Sequence, residues 1–120
     1  QLNDTDNTTD NNPPPFLIEN NGNVKLNISI YAQTNLWDSK SLNTTYFQFK
    51  VDNSTETNAF NPSFSQTSWI NMLNISKLSI VQLNFTNNNT AEVDILVTVP
   101  ENEPQGSKST TVIMEGVYSG

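Results

Sequence analysis

Apolar and polar side chains alternate with a period of two over much of this chain. Residues 24–32 (VKLNISIYA) place Val24, Leu26, Ile28 and Ile30 on one face and Lys25, Asn27, Ser29 and Tyr31 on the other. Residues 45–51 (TYFQFKV) set Phe47, Phe49 and Val51 against Tyr46, Gln48 and Lys50. Residues 91–99 set Val93, Ile95, Val97 and Val99 against Glu92, Asp94 and Thr98. This period marks half-buried β-strands. A last apolar run starts at Val112 and carries Ile113, Met114 and Val117. Pro100, Pro104 and Gly106 break the chain between the last two runs, so this third predicts a strand–turn–strand hairpin. In residues 74–85 the phase slips. Leu78 and Ile80 share one face, whereas Val81, Leu83 and Phe85 share the other, and a β-bulge near Ile80 and Val81 reconciles them.

The remaining segments are less regular. FLIE (16–19) is a short apolar run, and Asn21-Gly22 behind it is a strong turn signal. Residues 33–44 are a polar connection and 52–58 a loop. Residues 59–73 have no steady period. Phe60, Phe64, Trp69, Ile70, Met72 and Leu73 are expected to plug the core from there, with a helical turn around 67–73 left open. About six or seven strands separated by Asn-, Pro- and Gly-rich turns predict an all-β fold, an Ig-like β-sandwich with an extended N-terminal tail. Residues 1–15 form the tail and proline linker, and residues 16–120 a single sandwich domain. No run of about 20 apolar residues exists to span a membrane. Gln1 is expected to follow a cleaved signal peptide.

Composition narrows the chemistry. Cysteine, histidine and arginine are all absent. Disulfides and thiolate metal sites are thereby excluded, as are most common bases, nucleophiles and phosphate clamps. The chain is expected not to be an enzyme and to carry no cofactor or metal. A net charge of −7 argues against nucleic acid as a partner. Charges are few, and 20 Asn with 26 Ser plus Thr carry the solubility. Such a surface keeps its character below about pH 4, where carboxylates protonate, and it suits an extracellular protein in acid. Compositional drift in an AT-rich genome would produce the same bias.

Several residue groups are candidates for chemistry or modification. N-glycosylation sequons occur at Asn3, Asn7, Asn27, Asn43, Asn53, Asn74, Asn84 and Asn88. Chance in so Asn-, Ser- and Thr-rich a chain accounts for about half of them. Their places, on polar strand faces and at predicted turns, leave the amides free to project into water. Asp4, Asp6 and Asp10 offer oxygen ligands for Ca²⁺ but lack the glycine and distal glutamate of a calcium loop, so a solvated tail is expected. The carboxylate pairs Glu101 with Glu103 and Glu92 with Asp94 read as solvated surface. Trp37, Trp69, Tyr31 and Tyr46 could stack on sugar, with Trp69 expected in the core and the two tyrosines on polar faces.

A strand ending in Val99-Pro100, a Pro/Gly turn and a final strand (DILVTVP, EPQG, TTVIMEG) resemble the closing hairpin of secreted archaeal and bacterial Ig-like sandwiches. Pro13-Pro14-Pro15 behind an extended tail, no cysteine, low charge and many sequons narrow the field. Together they resemble subunits of archaeal surface filaments, the glycosylated thread-type pili of Sulfolobales. The resemblance implies donor-strand assembly, in which one subunit's tail completes the sandwich of the next. Carried over here, residues 1–15, extending toward Glu19, are the donor, with Leu2, Pro13, Pro14, Pro15 and Phe16 as its assembly residues. The last strand is apolar on both faces, which predicts cover on both. It is therefore either central or beside the acceptor groove, with Val112, Ile113, Met114 and Val117 as acceptor candidates. The expected protein is a structural, N-glycosylated homo-oligomer at the cell surface that adheres to cells or other surfaces. A carbohydrate-binding or adhesin module and an S-layer-type domain are the alternatives.

Overall fold

The computed structural model describes residues 3–6 as backbone and residues 15–119 with side chains. Eight strands follow in order: β1 (Asn3–Asp6), β2 (Phe16–Glu19), β3 (Leu26–Ala32), β4 (Phe47–Asn53), β5 (Ile70–Asn71), β6 (Lys77–Leu83), β7 (Thr90–Thr98) and β8 (Val112–Tyr118). They form two antiparallel sheets, and no helix occurs among the described residues. In the first sheet β7 is central. β4 pairs along one side of it and carries β5 at its far edge. Along the other side β2 pairs with Thr90 to Val93 and β1 with Ile95 to Thr98. β1 and β2 are thus two pieces of one interrupted edge strand. The second sheet runs β6–β3–β8.

The alternating runs meet between the layers. Ile28, Ile30 and Ala32 from β3 face Phe47, Phe49 and Val51 from β4, and all are buried. Ala91 and Val93 from β7 and Ile80 and Leu83 from β6 complete the core. Each fully buried large side chain contributes about 1.5–3 kcal/mol relative to exposure, which fixes the register, since a one-residue slip would turn these residues to solvent. The expected bulge is present. Leu26 pairs with Leu83, Ile28 with Ile80 and Ser29 with Leu78, so β6 gains a residue on either side of Ile80. Ile80 and Leu83 both turn inward, while Leu78 and Phe85 are exposed. Gln82 takes up the irregularity with φ of 60°.

Three expectations about elements change. β7 and β8 do not form a hairpin: each lies in a different sheet, and the chain between them crosses the sandwich. Alternation fixes which face of a strand is apolar but not which neighbour it pairs with. The region 67–73 holds no helical turn. Ile70–Asn71 is a short strand on β4, and this register sends Ile70 inward beside Phe49 and Trp69 to the outer face. Of the expected core plug, Phe60 and Met72 are buried and Ile70 packs against the core, but Phe64 is exposed.

Polar residues close the ends. Asn20 is buried behind β2; its side-chain N–H donates to Val24 O at 2.8 Å and Leu83 O at 3.1 Å, and its Oδ1 accepts from Gly22 N at 3.0 Å. Asn20 N donates to Asn89 O, and Asn89 Nδ2 returns a bond to Asn20 O, both at 2.9 Å. Asparagine also serves as a turn former. Asn43, Asn58, Asn88 and Asn102 adopt φ between 48° and 65°, a region this side chain tolerates better than most.

Candidate functional site

β7 organises both the apolar groove and the buried carboxylate cluster. Its inner face carries Ala91, Val93, Ile95 and Val97. The first two are buried, whereas Ile95 and Val97 are half-buried and line a groove of about 340 Å³. Pro15 and Phe16 from the start of β2, Leu36, Phe47 and Val112 of β8 form the other apolar walls. The groove exists because the edges of the two sheets, β1/β2 and β8, do not meet on this side. Among the described residues β8 pairs with β3 alone, so its second edge carries no ladder.

The assembly candidates divide across this region. Leu2, Pro13 and Pro14 lie outside the described residues. Pro15 and Phe16 line the groove. Val112 lines it from the facing sheet, and Met114 packs against the core. Ile113 falls on the opposite, outer face by register, and Val117, also outward, is exposed. β8 is therefore not central, and its last turns are not covered on both faces as the two-sided apolar pattern predicts. At its end Gly116 comes close to Ile28, and Tyr118 is exposed.

The tail's backbone has a place in the fold. Asn3 pairs with Thr98, Asp4 with Val97, Thr5 with Leu96 and Asp6 with Ile95. Two of the three calcium candidates, Asp4 and Asp6, thus sit at successive alternate positions of β1, while Asp10 lies outside the described residues.

The sequons spread around the surface. Asn43, Asn53, Asn74 and Asn88 are exposed. Asn27 is half-buried on the outer face of β3, with its Oδ1 accepting from Gln82 N at 3.0 Å. Asn84 differs, because the nitrogen that would carry a glycan donates to Asn58 O at 2.9 Å. Asn3 is in β1, and Asn7 is outside the described residues.

The aromatic candidates do not form a platform. Tyr31 lies on the outer face of the β6–β3–β8 sheet, paired with Ile113. Trp37 donates its ring N–H to Tyr46 O at 2.9 Å, and the Lys40 ammonium sits 5.2 Å from the Tyr46 ring centre. Trp69 is outside the core, with the Lys50 ammonium 5.3 Å from its ring centre.

Of the two carboxylate pairs, Glu101 is exposed as expected, whereas Glu103, Glu92 and Asp94 are not solvated surface. Glu103 is a clasp. Its side chain is 4% exposed and bonds Lys108 Nζ at 2.9 Å. It also accepts from Asp38 N at 2.9 Å, from Ser39 N at 3.0 Å and from the Ser39 hydroxyl. Burial opposes its charge, but the bonds from Ser39, Lys108 and the two backbone N–H groups outweigh it and hold the pKa at about 2.

Glu92 and Asp94 are buried on the outer face of β7. Cross-strand register places Lys50 opposite Asp94 and Asp52 opposite Glu92. One oxygen from each of Asp52, Glu92 and Asp94 lies within 4.8 Å of the others. The Lys50 ammonium stands 3.8 Å from Asp94 and 3.7 Å from Asp52. Neither Asp94 oxygen meets an N–H or O–H donor of the fold. Burial first, then carboxyl–carboxyl contact and charge repulsion from Glu92, push its pKa up to about 8 against the pull of Lys50. That contact is a hydrogen bond only while one carboxyl keeps its proton. The alternation of β7 shows Glu92 and Asp94 on one face. Lys50 and Asp52 join them only through the β4 register, which periodicity does not carry.

No protein-family model matches the chain, and neither a curated protein nor a solved structure matches it.

Proposed function

We propose that this chain is a structural subunit of an extracellular filament, joined head to tail by exchange of its N-terminal strand and coated with N-glycans. The observation that carries the reading is β1. This short strand adds to the open side of β7 through backbone pairing and is separated from β2 by residues 7–15. Such a strand can leave its own domain and make the same ladder on another copy, because strand addition is read mainly by main-chain N–H and C=O groups. The acceptor in this reading is the β7 edge from Ile95 to Thr98, across the groove from β8.

Polarity supports the same arrangement. β1 starts opposite Thr98, where β7 finishes. β8 finishes opposite Leu26, and Ser119 N bonds Lys25 O beside the Asn20 turn, where β7 begins. The two ends of the described chain thus lie at opposite ends of the sandwich. A contact that joins one end to the other is heterologous and propagates as an open filament. The half-buried Ile95, Val97 and Val112 and the exposed Phe16 around the groove give a neighbour apolar surface to cover, and two or three such side chains contribute on the order of 5 kcal/mol. Asn53, paired with Ala91, and Asn88, just before β7, are exposed at the end of β7 remote from Ile95 to Thr98, so glycans there leave that edge clear.

The chain has no native cysteine, so a cross-strand pair reports directly on exchange. Thr5→Cys with Leu96→Cys joins partners in the β1–β7 register. Concentrated and oxidised, the double variant should run as a ladder of covalent oligomers, and electron microscopy of the unmodified protein should show filaments. Bridges confined within single chains, together with monodisperse monomers at high concentration, would sink the proposal.

A further inference from the structure

The outer face of β7 gathers three carboxylates, and the oxygens of the most buried one, Asp94, meet no hydrogen-bond donor among the described residues. Asp52 and Glu92 are directly opposed across β4 and β7, a like-charge pair that destabilises a sheet. Asp94 completes the triangle with a side chain 1% exposed and both oxygens without a donor. A buried carboxylate in that position needs a counter-charge. One ammonium, Lys50, approaches at 3.7–3.8 Å, beyond hydrogen-bond range, and also leans on Trp69. Three carboxylates against one cation leave a net charge of −2 when all are ionised.

We infer that Asp52, Glu92 and Asp94 form a binding site for a divalent cation of the Ca²⁺ type. The ligands are all hard oxygens, which suit Ca²⁺ or Mg²⁺ rather than a softer metal. One oxygen from each carboxylate lies within 4.8 Å of the others, inside the reach of a single ion. Coordination habit separates the two ions: Mg²⁺ demands a near-ideal octahedron, whereas Ca²⁺ accepts an irregular oxygen set completed by water, which suits side chains fixed by the register of two strands. Access is from the Asp52 side, where that side chain is 49% exposed and Lys50 is 24% exposed. Lys50 moves to solvent when the ion arrives, and water fills the remaining positions. The site depends on the described residues of β4 and β7 alone, so it stands or falls independently of strand exchange.

The test is calorimetric titration of the full-length, chelator-treated protein with CaCl₂ and then MgCl₂ near neutral pH. One Ca²⁺ should bind per chain, with a dissociation constant on the order of 10⁻⁴–10⁻³ M and weaker Mg²⁺ binding. Asp94→Asn should weaken Ca²⁺ at least about tenfold, and Lys50→Met should tighten it several-fold by removing the competing ammonium. Should Asp94→Asn lose its native circular dichroism spectrum, Asp52→Asn takes its place with the same expected loss. Absence of Ca²⁺ binding to both the native chain and Lys50→Met overturns the site and leaves a shared proton as the resolution. Unchanged affinity in Asp94→Asn or Asp52→Asn overturns it too, by locating the ion elsewhere, such as among the tail aspartates.

Discussion

Phe49 lies between the sheets with no exposed surface, beside Ile95 on β7 and Ile70 on β5. Phe49→Ala removes its ring from a site with well-packed neighbours on both layers, and should destabilise the domain by about 3–5 kcal/mol in urea unfolding. Asn20 is the polar counterpart. Asn20→Ala strips Val24 O and Leu83 O of a donor, and should cost about 1–3 kcal/mol with little change in the β spectrum. The phenylalanine was legible in the sequence, because alternation in 45–51 points it inward. The asparagine was not: in NNGN it reads as the start of a turn, and its burial follows from where β6 ends and β7 begins. Glu92 and Asp94 were misread for a related reason. Period-two reasoning assigns the polar face of a strand to water, and it cannot see Lys50, Asp52 and Trp69 arriving on that face from other elements.

At the level of elements, β3, β4 and β6 were readable, the last with its bulge, because each is anchored by apolar residues with no other way to be buried. The β7–β8 relation was not. Both strands have apolar faces and the prolines between them mark a reversal, but a reversal is compatible with pairing or with crossing to the other sheet. What decides it here is the long connection, which is fastened by Glu103 to Asp38, Ser39 and Lys108. Residue 33–44 chain and the crossover are thereby tied into one unit. Because the folded pKa of Glu103, about 2, lies below its ordinary 4.5, its charge stabilises the fold. That contribution is complete above about pH 4.5 and is lost as pH falls toward 2. Glu103→Gln should therefore be less stable than the native chain at pH 6, with the gap closing between pH 4.5 and 2. Chemical denaturation of both proteins across that range is the measurement, and a gap independent of pH would remove the clasp from the explanation. At pH 3 Glu103 remains charged while ordinary surface carboxylates are largely neutral, so the crossover holds in acid.

For the whole molecule the decisive question is what happens to β7 when β1 is absent. Among the described side chains, the buried cluster is drawn from β3, β4, β6, β7 and the loops between them. Removing residues 1–15 should leave a folded domain that is destabilised by about 1–2 kcal/mol, the net worth of a few ladder bonds after chain ordering. It also uncovers β7 from Ile95 to Thr98 beside the apolar groove, and an open edge next to apolar surface is a template for pairing. The truncated chain should retain its β spectrum yet self-associate as concentration rises, which sedimentation velocity will show. A synthetic peptide of residues 1–15, added in excess, should restore both the monomer and the unfolding midpoint by refilling that edge. If the truncated domain stays monomeric and the peptide has no effect, β1 contributes nothing to closure of the sheet, and strand exchange loses the element on which it depends.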